Sequence, residues 1–407
     1  MITESRRWEL DAMRGLMLVQ MALTHFSTRL SDPLGQPFGY VSAAEGFVLL
    51  SAYMAGMVYS STARRRGDEP MKTAFFNRAV KLYACQLALL LFAFTLIAGI
   101  ALVSREDAVT GLLGFYLERP VVAMVSASLL LYNPALLDIL PIYIVFMLIS
   151  PIVLLHGLEH GWRGVMAVSL LLWLGAQFGL GATLFHALTG WFAMPLQFHD
   201  TGAFSMLGWQ FLWVLGLWMG ASQSEPDAQP TRFPSWMVLV AVGLALSAFI
   251  WRHAVGQTPV PGHAGINLMF DKWHLGPLRL LNLLALMLLL MHFAPWLKRK
   301  LPRVRVLETL GMAALPVFCA HLVVALLALA LFGSARPDRP LSVDLLILFV
   351  GFYALYAVAR LTLARDRHKA ALVARTANPV NMRPSEASRN ELLPQAVAIR
   401  AEVKPVA

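Results

Sequence analysis

Two apolar segments near the start of the chain carry ionisable side chains. The first segment contains Asp11, Arg14 and His25, and the second contains Glu45. Ionisable groups are costly to place inside a bilayer, so each one is by default a candidate for function. Imidazole is the side chain best suited to accept and return a proton near neutral pH, which acyl transfer to a hydroxyl group requires. We therefore predict that His25 and Glu45 are catalytic.

Several interpretations of these residues are open, and some of them are purely structural. His25 could cap its helix or hydrogen-bond a neighbour at the membrane interface, because buried polar groups are usually satisfied. Glu45 could orient His25, stabilise the charged imidazole, or be held protonated by burial. It could instead form an ion pair with a structural arginine such as Arg14. Asp11 and Arg14 lie three positions apart, so they can neutralise each other on one helix face.

The composition indicates a membrane protein. Of the 407 residues, 58% are hydrophobic and 14% are charged, and the mean hydropathy is +0.63, whereas soluble domains are about 25% charged. The net charge of +10 comes from short clusters of Lys and Arg between apolar segments, a pattern that reflects membrane topology rather than nucleic-acid binding. Cys85 and Cys319 both lie in apolar segments, so neither a disulfide framework nor a metal site is expected.

The distribution of apolar residues predicts an all-α, polytopic helical bundle. A window of about 20 residues, the length that spans the hydrocarbon core, gives about ten transmembrane helices. Their approximate ranges are 10–28, 41–61, 80–103, 138–156, 164–181, 204–222, 236–251, 275–295, 306–332 and 342–363. Basic clusters occur at every second connection, so both termini are expected to be cytoplasmic.

Two segments outside these spans have their own predictions. The loop 106–131 contains apolar runs broken by a charged and proline-containing sequence, which favours an interfacial or re-entrant pair of helices. Residues 1–363 are expected to form the membrane domain. The remaining residues, 364–407, are polar and contain several prolines, so they are expected to form a disordered cytoplasmic tail.

The segment 64–81 is basic and is predicted to form an interfacial helix that leads into the third span. Its aromatic residues fall on one side and Lys72, Arg78 and Lys81 on another, a pattern typical of helices at a membrane surface. One interpretation is attraction to anionic lipid headgroups. The other is that Lys72 and Arg78 capture a phosphorylated donor from the cytoplasm.

The order of these motifs resembles the OpgC family, within the wider acyltransferase-three superfamily. The opening motif Arg7–Leu16 is followed by His25 and by the second-segment motif Ala43–Gly56. Further matches follow in the family's order: Phe75–Tyr83, Asp138–Tyr143, Gly208–Phe211, Lys272, Leu275–Asn282, Leu310–Gly311 and Val317–His321. The resemblance covers roughly residues 6–363, and it is the ordered set of motifs that is specific.

The resemblance implies a multi-pass protein of the bacterial inner membrane that is linked to succinylation of osmoregulated periplasmic glucans. It places His25 at the catalytic histidine, Asp11 and Arg14 in the signature before it, Arg78 at a basic position associated with the donor, and Glu45 where relatives carry an acid. It also implies an acyl-CoA donor, either succinyl-CoA or acetyl-CoA, and a periplasmic glucan acceptor. No bound cofactor and no nucleic-acid partner are expected, and membrane lipids surround the protein.

Other polar residues at span ends or inside spans are predicted to bind substrate. Together with Asp11, Arg14, Lys72 and Arg78, the predicted substrate-binding residues are Asp138, Trp209, Gln210, Lys272, Arg279 and His321. Several tryptophans, namely Trp191, Trp209, Trp213 and Trp273, are expected either to stack on sugar rings or to form an interfacial aromatic belt. Two alternative functions remain open: a proton-coupled or lipid-linked substrate transporter, and acetylation of another surface polysaccharide.

Overall fold

The protein is described by a computed structural model that covers residues 7–104, 106–192, 196–225 and 232–377. The structure is 81% helical, and no strand occurs within these ranges, so the predicted all-α class is confirmed. The helices are α1 Trp8–His25, α2 Ser31–Gly35, α3 Ala43–Arg66, α4 Asp68–Phe92, α5 Ala98–Ser104, α6 Asp107–Leu112, α7 Gly114–Glu118, α8 Pro120–Ser128, α9 Ile139–His160, α10 Trp162–Gln177, α11 Leu180–Phe192, α12 Met206–Gln223, α13 Ser235–Val255, α14 Ala264–Asn267, α15 Pro277–Lys300, α16 Arg305–Met312, α17 Ala314–Phe332 and α18 Leu341–Ala377.

The number of membrane-spanning helices is lower than predicted when it is judged by length and composition. Within the described residues, seven helical segments are long and apolar enough to cross a membrane, and the bent pair of α10 and α11 would be an eighth. The first two predicted spans do form helices, α1 and α3, but neither is among these segments. In α1 the reason is that Glu9, Asp11 and Arg14 interrupt an 18-residue helix. The structure therefore supports seven or eight spans by this standard rather than ten.

Two predicted spans are broken in the structure. α10 covers most of the predicted span 164–181, and α11 begins before that span ends, at an angle of 80° to α10. The connection contains Gly179, whose φ of 80° lies in the left-handed region that glycine adopts without steric cost. The predicted span 306–332 is divided at Ala313 into α16 and α17. Each break produces two shorter helices. The hydropathy pattern alone does not distinguish such a pair from one continuous span.

Two predicted connections also differ from expectation. The loop 106–131 forms three short helices, α6 to α8, instead of a pair. The predicted interfacial helix within 64–81 is the first part of a longer helix, because α4 begins at Asp68 and continues through the π-helical segment Ala93–Ile97 into α5. The turn between α3 and α4 is reduced to Gly67, with a φ of 87°.

The chain divides into two compact units, Met1–Ala359 and Arg360–Ala407. Every predicted site residue belongs to the first unit. Within the second unit, residues 360–377 belong to α18, so the first part of the predicted tail, 364–377, is helical. The rest of that predicted tail, 378–407, lies outside the described residues.

Small residues bring α3 and α12 into backbone contact. A Cβ atom added to Gly220 would overlap the backbone carbonyl group of Tyr53, and one added to Gly56 would overlap that of Leu217. Helices in membranes associate largely through van der Waals packing, and small residues allow the backbones to approach. This contact fixes α3, which carries Glu45 in its first turn.

A second close contact fixes α1, which carries His25 at its last position. A Cβ atom on Gly15 would overlap the backbone of Leu307, and one on Gly311 would overlap the carbonyl group of Asp11. The short helix α16 therefore packs directly against the backbone of α1. The following helix, α17, also packs against α1.

We predict that Gly220→Ala destabilises the protein, because the added methyl group must separate α3 from α12. Overpacking of this kind costs about 1–3 kcal/mol. Gly243→Ala is the matched control, since Gly243 lies inside α13 and a Cβ there meets no atom of the described residues within 4 Å. The measurement is the melting temperature in detergent, and it should fall for Gly220→Ala only. Equal melting temperatures for the two variants would contradict the assigned contact.

Candidate functional site

Two histidines from distant parts of the chain form the centre of the site. Nδ1 of His25 lies 3.0 Å from Nε2 of His321, so the two imidazoles share a hydrogen bond. Their rings lie edge to edge and nearly in one plane, with centroids 5.3 Å apart and planes 17° apart. His321 is fully buried in α17, whereas His25 is only partly buried. Among the described residues no hydrogen bond reaches Nε2 of His25, which leaves this nitrogen available to a substrate.

An ion-pair cluster anchors the chain directly after His25. Asp344, in α18, is buried and accepts hydrogen bonds from Nε of Arg339 at 2.8 Å and from the backbone N–H of Arg29 at 3.3 Å. Arg339 also donates to the backbone carbonyl group of Ser27. Ser27 has a φ of 50°, an uncommon conformation for a residue other than glycine. These contacts fix the position of the end of α1 and therefore of the His25 side chain.

Glu45 is held by two partners in the interior. Nε of Arg279 donates to Oε1 of Glu45, and both side chains are buried. The hydroxyl group of Ser42 donates to Oε2 at 2.5 Å, and the backbone N–H of Ser42 donates to the same oxygen at 3.1 Å. The arginine partner of Glu45 is thus Arg279, in the first turn of α15, rather than Arg14. Both carboxylate oxygens are thus engaged, and the ion pair ties α3 to α15.

Lys272 lies in the loop before α15, between aromatic rings. Its ammonium nitrogen is 4.9 Å from the ring centroid of Trp273 and 5.5 Å from that of Phe204. The indole N–H of Trp209 fixes this loop, since it donates to the backbone carbonyl groups of Lys272 at 3.2 Å and Trp273 at 3.1 Å. Burial lowers the pKa of Lys272, and the charge of Glu45 opposes that shift. Lys272 is also close enough to His25 to interact with it electrostatically.

Asp138 lies immediately before α9, at the same end of the bundle as Lys272. It is buried, and its Oδ2 accepts a hydrogen bond from the backbone N–H of Ala203 at 3.0 Å. Burial raises the pKa of Asp138 to about 6, although the hydrogen bond from Ala203 and the charge of Lys272 lower it. The carboxyl group therefore has a higher proton affinity than an exposed aspartate.

A cavity of about 180 Å³ lies among α1, α3, α4, α9 and α17. Two of the predicted basic residues, Arg14 and Arg78, line it, and most other lining groups are apolar. Phe318 also lines the cavity, and its ring packs edge-on against His321 with centroids 4.8 Å apart. Phe47 stacks on Phe318 at 6.0 Å. One layer of aromatic rings thus lies between the cavity and the histidines.

Other predicted residues lie elsewhere or have different surroundings. Lys72 is exposed and pairs with Glu69 at 2.7 Å, and it is not among the residues that line the cavity. Gln210 joins α12 to α10, because its side-chain amide exchanges hydrogen bonds of 2.7 Å with Ser169. Asp11 is buried where α1 meets α16. These contacts tie Gln210 and Asp11 to the packing of the bundle.

The tryptophans divide into two groups. Trp209 and Trp213 are buried and donate their indole N–H groups to protein atoms, so they cannot stack on a sugar ring. Trp191 and Trp273 remain exposed, with 88% and 41% of their surface accessible. The aromatic residues that the sequence reasoning missed are Phe47 and Phe318, whose apolar side chains carry no signal in a hydrophobic span.

Comparison with known proteins supports the resemblance noted in the sequence. A family model described as OpgC protein matches residues 6–367, nearly the whole chain. The chain belongs to the OpgC family. Separate searches of curated proteins and of solved structures found no match. Membership in the OpgC family indicates an acyltransferase that carries out OpgC-type glucan modification, and the long apolar helices indicate a multi-pass membrane protein.

We predict that Asp138→Asn stabilises this OpgC protein more at high pH than at low pH. The pKa of Asp138 is raised to about 6 in the folded protein, above its value in an unfolded chain, so its ionisation costs stability. That cost is absent below the unfolded pKa, increases as the pH rises, and is complete above the folded pKa. The gain in melting temperature should therefore be larger at about pH 8 than at about pH 4. A gain that is the same at both pH values would contradict the assignment.

Proposed function

We propose that this OpgC protein transfers a succinyl group from succinyl-CoA, on the cytoplasmic side of the bacterial inner membrane, to a hydroxyl group of a periplasmic glucan. The observation that carries the proposal is the position of His25. One ring nitrogen is engaged by His321, and the other is unbonded among the described residues, as a general base requires. The cavity with two arginines is lined by Phe318, which contacts His321, and Lys272 interacts electrostatically with His25.

The orientation of the chain follows from its charges. The ammonium group of Lys298 pairs with Glu9 at 2.9 Å, which brings the basic end of α15 beside the start of α1. Arg303 also lies over the ring of Trp8, 5.0 Å from its centroid. Because Lys and Arg near span ends favour the cytoplasmic side, this end of the bundle faces the cytoplasm. His25, at the other end of α1, then lies towards the periplasm.

The cavity suits the donor. Arg14 and Arg78 offer positive charge for phosphate groups, and the apolar lining, which includes Met54, Leu82 and Ile139, suits the pantetheine arm and the acyl chain. The acyl end of the donor would pass the ring of Phe318 to reach the histidine pair. Such a site holds the thioester in a shielded environment, where electrostatic interactions are stronger than in water.

The proposed reaction balances through His25 alone. Nε2 of His25 removes the proton of a glucan hydroxyl group as the oxygen attacks the thioester carbonyl carbon. The tetrahedral intermediate then expels the thiolate of coenzyme A, which takes the proton back from His25. The products are the glucan ester and free coenzyme A, and the imidazole returns to its starting state. The hydrogen bond to His321 holds the ring with Nε2 directed at the substrate.

We predict that His25→Ala lowers glucan acylation by about 10²-fold or more, the usual contribution of a general base. His292→Ala serves as the control, because His292 is an exposed histidine on α15 outside the site. Mass spectrometry of periplasmic glucans from cells that lack the native protein gives the readout, and the mass increment separates succinyl from acetyl. Wild-type acylation in His25→Ala cells would remove the assignment of the base. Glucans that never carry an acyl group, even with the wild-type protein, would favour transport instead.

A further prediction concerns the partner of His25. His321→Leu removes the hydrogen bond and should lower kcat by roughly tenfold to a hundredfold, since hydrogen bonds to charged groups contribute about 1.5–3 kcal/mol. KM for the acyl-CoA should change little, because His321 lies outside the cavity lining. His321→Gln retains a hydrogen-bonding group and should recover part of the rate. A rise in KM without loss of kcat, or no difference between the two variants, would show that His321 does not position the base.

A further inference from the structure

Lys272 is a charged group that pairs with no carboxylate in the part of the chain that the structure describes. Among the described residues no carboxylate oxygen lies within ion-pair distance of its ammonium group, and its closest charge-related contacts are the rings of Trp273 and Phe204. A partly buried ammonium group loses hydration, and cation–π contacts compensate only in part. Such a group is suited to bind an anion that enters the site.

Arg279 provides a second unused donor nearby. Its Nε donates to Glu45, and its Nη1 donates to the backbone carbonyl group of Phe270 at 3.3 Å. Its Nη2 is buried and has no hydrogen-bond partner among the residues that the structure describes. Buried donors are nearly always satisfied in proteins, so an orphaned one indicates a missing partner such as a ligand. Lys272 and Arg279 are close enough to interact electrostatically.

Neither of the two carboxylates near Lys272 forms an ion pair with it, so a further anion can bind there. Glu45 is already paired with Arg279. Asp138 interacts with Lys272 electrostatically, but it lies beyond ion-pair distance and is bonded to Ala203. The ammonium group of Lys272 and Nη2 of Arg279 are therefore donors to which neither Glu45 nor Asp138 is bonded.

We propose that Lys272, assisted by Nη2 of Arg279, binds the terminal carboxylate of a dicarboxylic acyl group while the thioester of that group lies at His25. This inference rests on the proposed function and deepens it, because it makes Lys272 the residue that selects an anionic acyl group over a neutral one. A site built to bind a charged group rejects an analogue that lacks it, since its own polar groups are then left unpaired. The aromatic walls formed by Trp273 and Phe204 strengthen the discrimination by excluding water.

The experiment compares two donors with purified full-length protein and a glucan acceptor. Succinyl-CoA carries the terminal carboxylate, and butyryl-CoA is a neutral donor of similar length. Lys272→Met should lower kcat/KM for succinyl transfer by about a hundredfold and should affect butyryl transfer far less. Lys272→Arg keeps the charge and should retain most of the preference. Lys298→Met, which removes a lysine at the other end of the bundle, should leave the donor ratio unchanged.

Two results would overturn the inference while the proposed function stands. Lys272→Met could lower transfer from both donors by the same factor, with an unchanged melting temperature, which would assign Lys272 to the acceptor or to general structure. It could also leave transfer from both donors at the wild-type rate. Failure of the wild-type protein to transfer an acyl group from either donor would instead contradict the proposed function itself. If Lys272→Met does not fold, Lys272→Gln provides the same comparison.

Discussion

The hydrogen bond between His25 and His321 is the constraint on which the rest of the site depends. It joins two side chains that are 296 residues apart, and it exists only if the end of α1 meets the middle of α17. The glycine contact between α1 and α16 brings the backbones together, and the cluster around Asp344 fixes the chain just beyond His25. The packing of these helices therefore holds the imidazole of His25 in one orientation.

The distribution of charge around the two histidines follows from the cost of burying ions. Glu45 and Arg279 compensate each other in the interior, because an unpaired buried charge would destabilise the protein strongly. Lys272 and Asp138 lie in connections next to α15 and α9, and they interact with each other electrostatically. The two arginines of the cavity line it together with Phe47 and Phe318. The phosphate groups of the donor can therefore be attracted by charges other than that of Lys272.

Much of this arrangement could be predicted from the sequence. The apolar segments predict the all-α class. The unusual positions of His25, Arg14 and Glu45 in those segments indicate that α1 and α3 carry site residues. The partner of His25 could not be predicted, because no pattern in a single sequence links residues so distant. For the same reason the sequence suggests Arg14, which lies nearer to Glu45 along the chain, as the ion-pair partner of Glu45 instead of Arg279.

The remaining differences have physical causes of the same kind. Gln210 and Lys72 have polar side chains in or beside spans, and sequence alone cannot distinguish a polar group that binds substrate from one that joins two helices or faces solvent. The breaks near Gly179 and Ala313 lie within apolar runs, so hydropathy treats each run as one span. The aromatic layer of Phe47 and Phe318 is likewise hidden, because its residues are ordinary for a membrane helix.

Transfer across the bilayer in sealed vesicles tests the central claim most directly. Protein is reconstituted into proteoliposomes, succinyl-CoA labelled in its acyl group is added on the side of the Lys298 end, and glucan is enclosed on the side of the Lys272 loop. The account predicts that label accumulates inside as an ester of the glucan, and that His25→Ala vesicles lack it. Label that appears inside as free succinate or intact donor, with the glucan unmodified, would contradict a site that joins the donor on one side to the acceptor on the other.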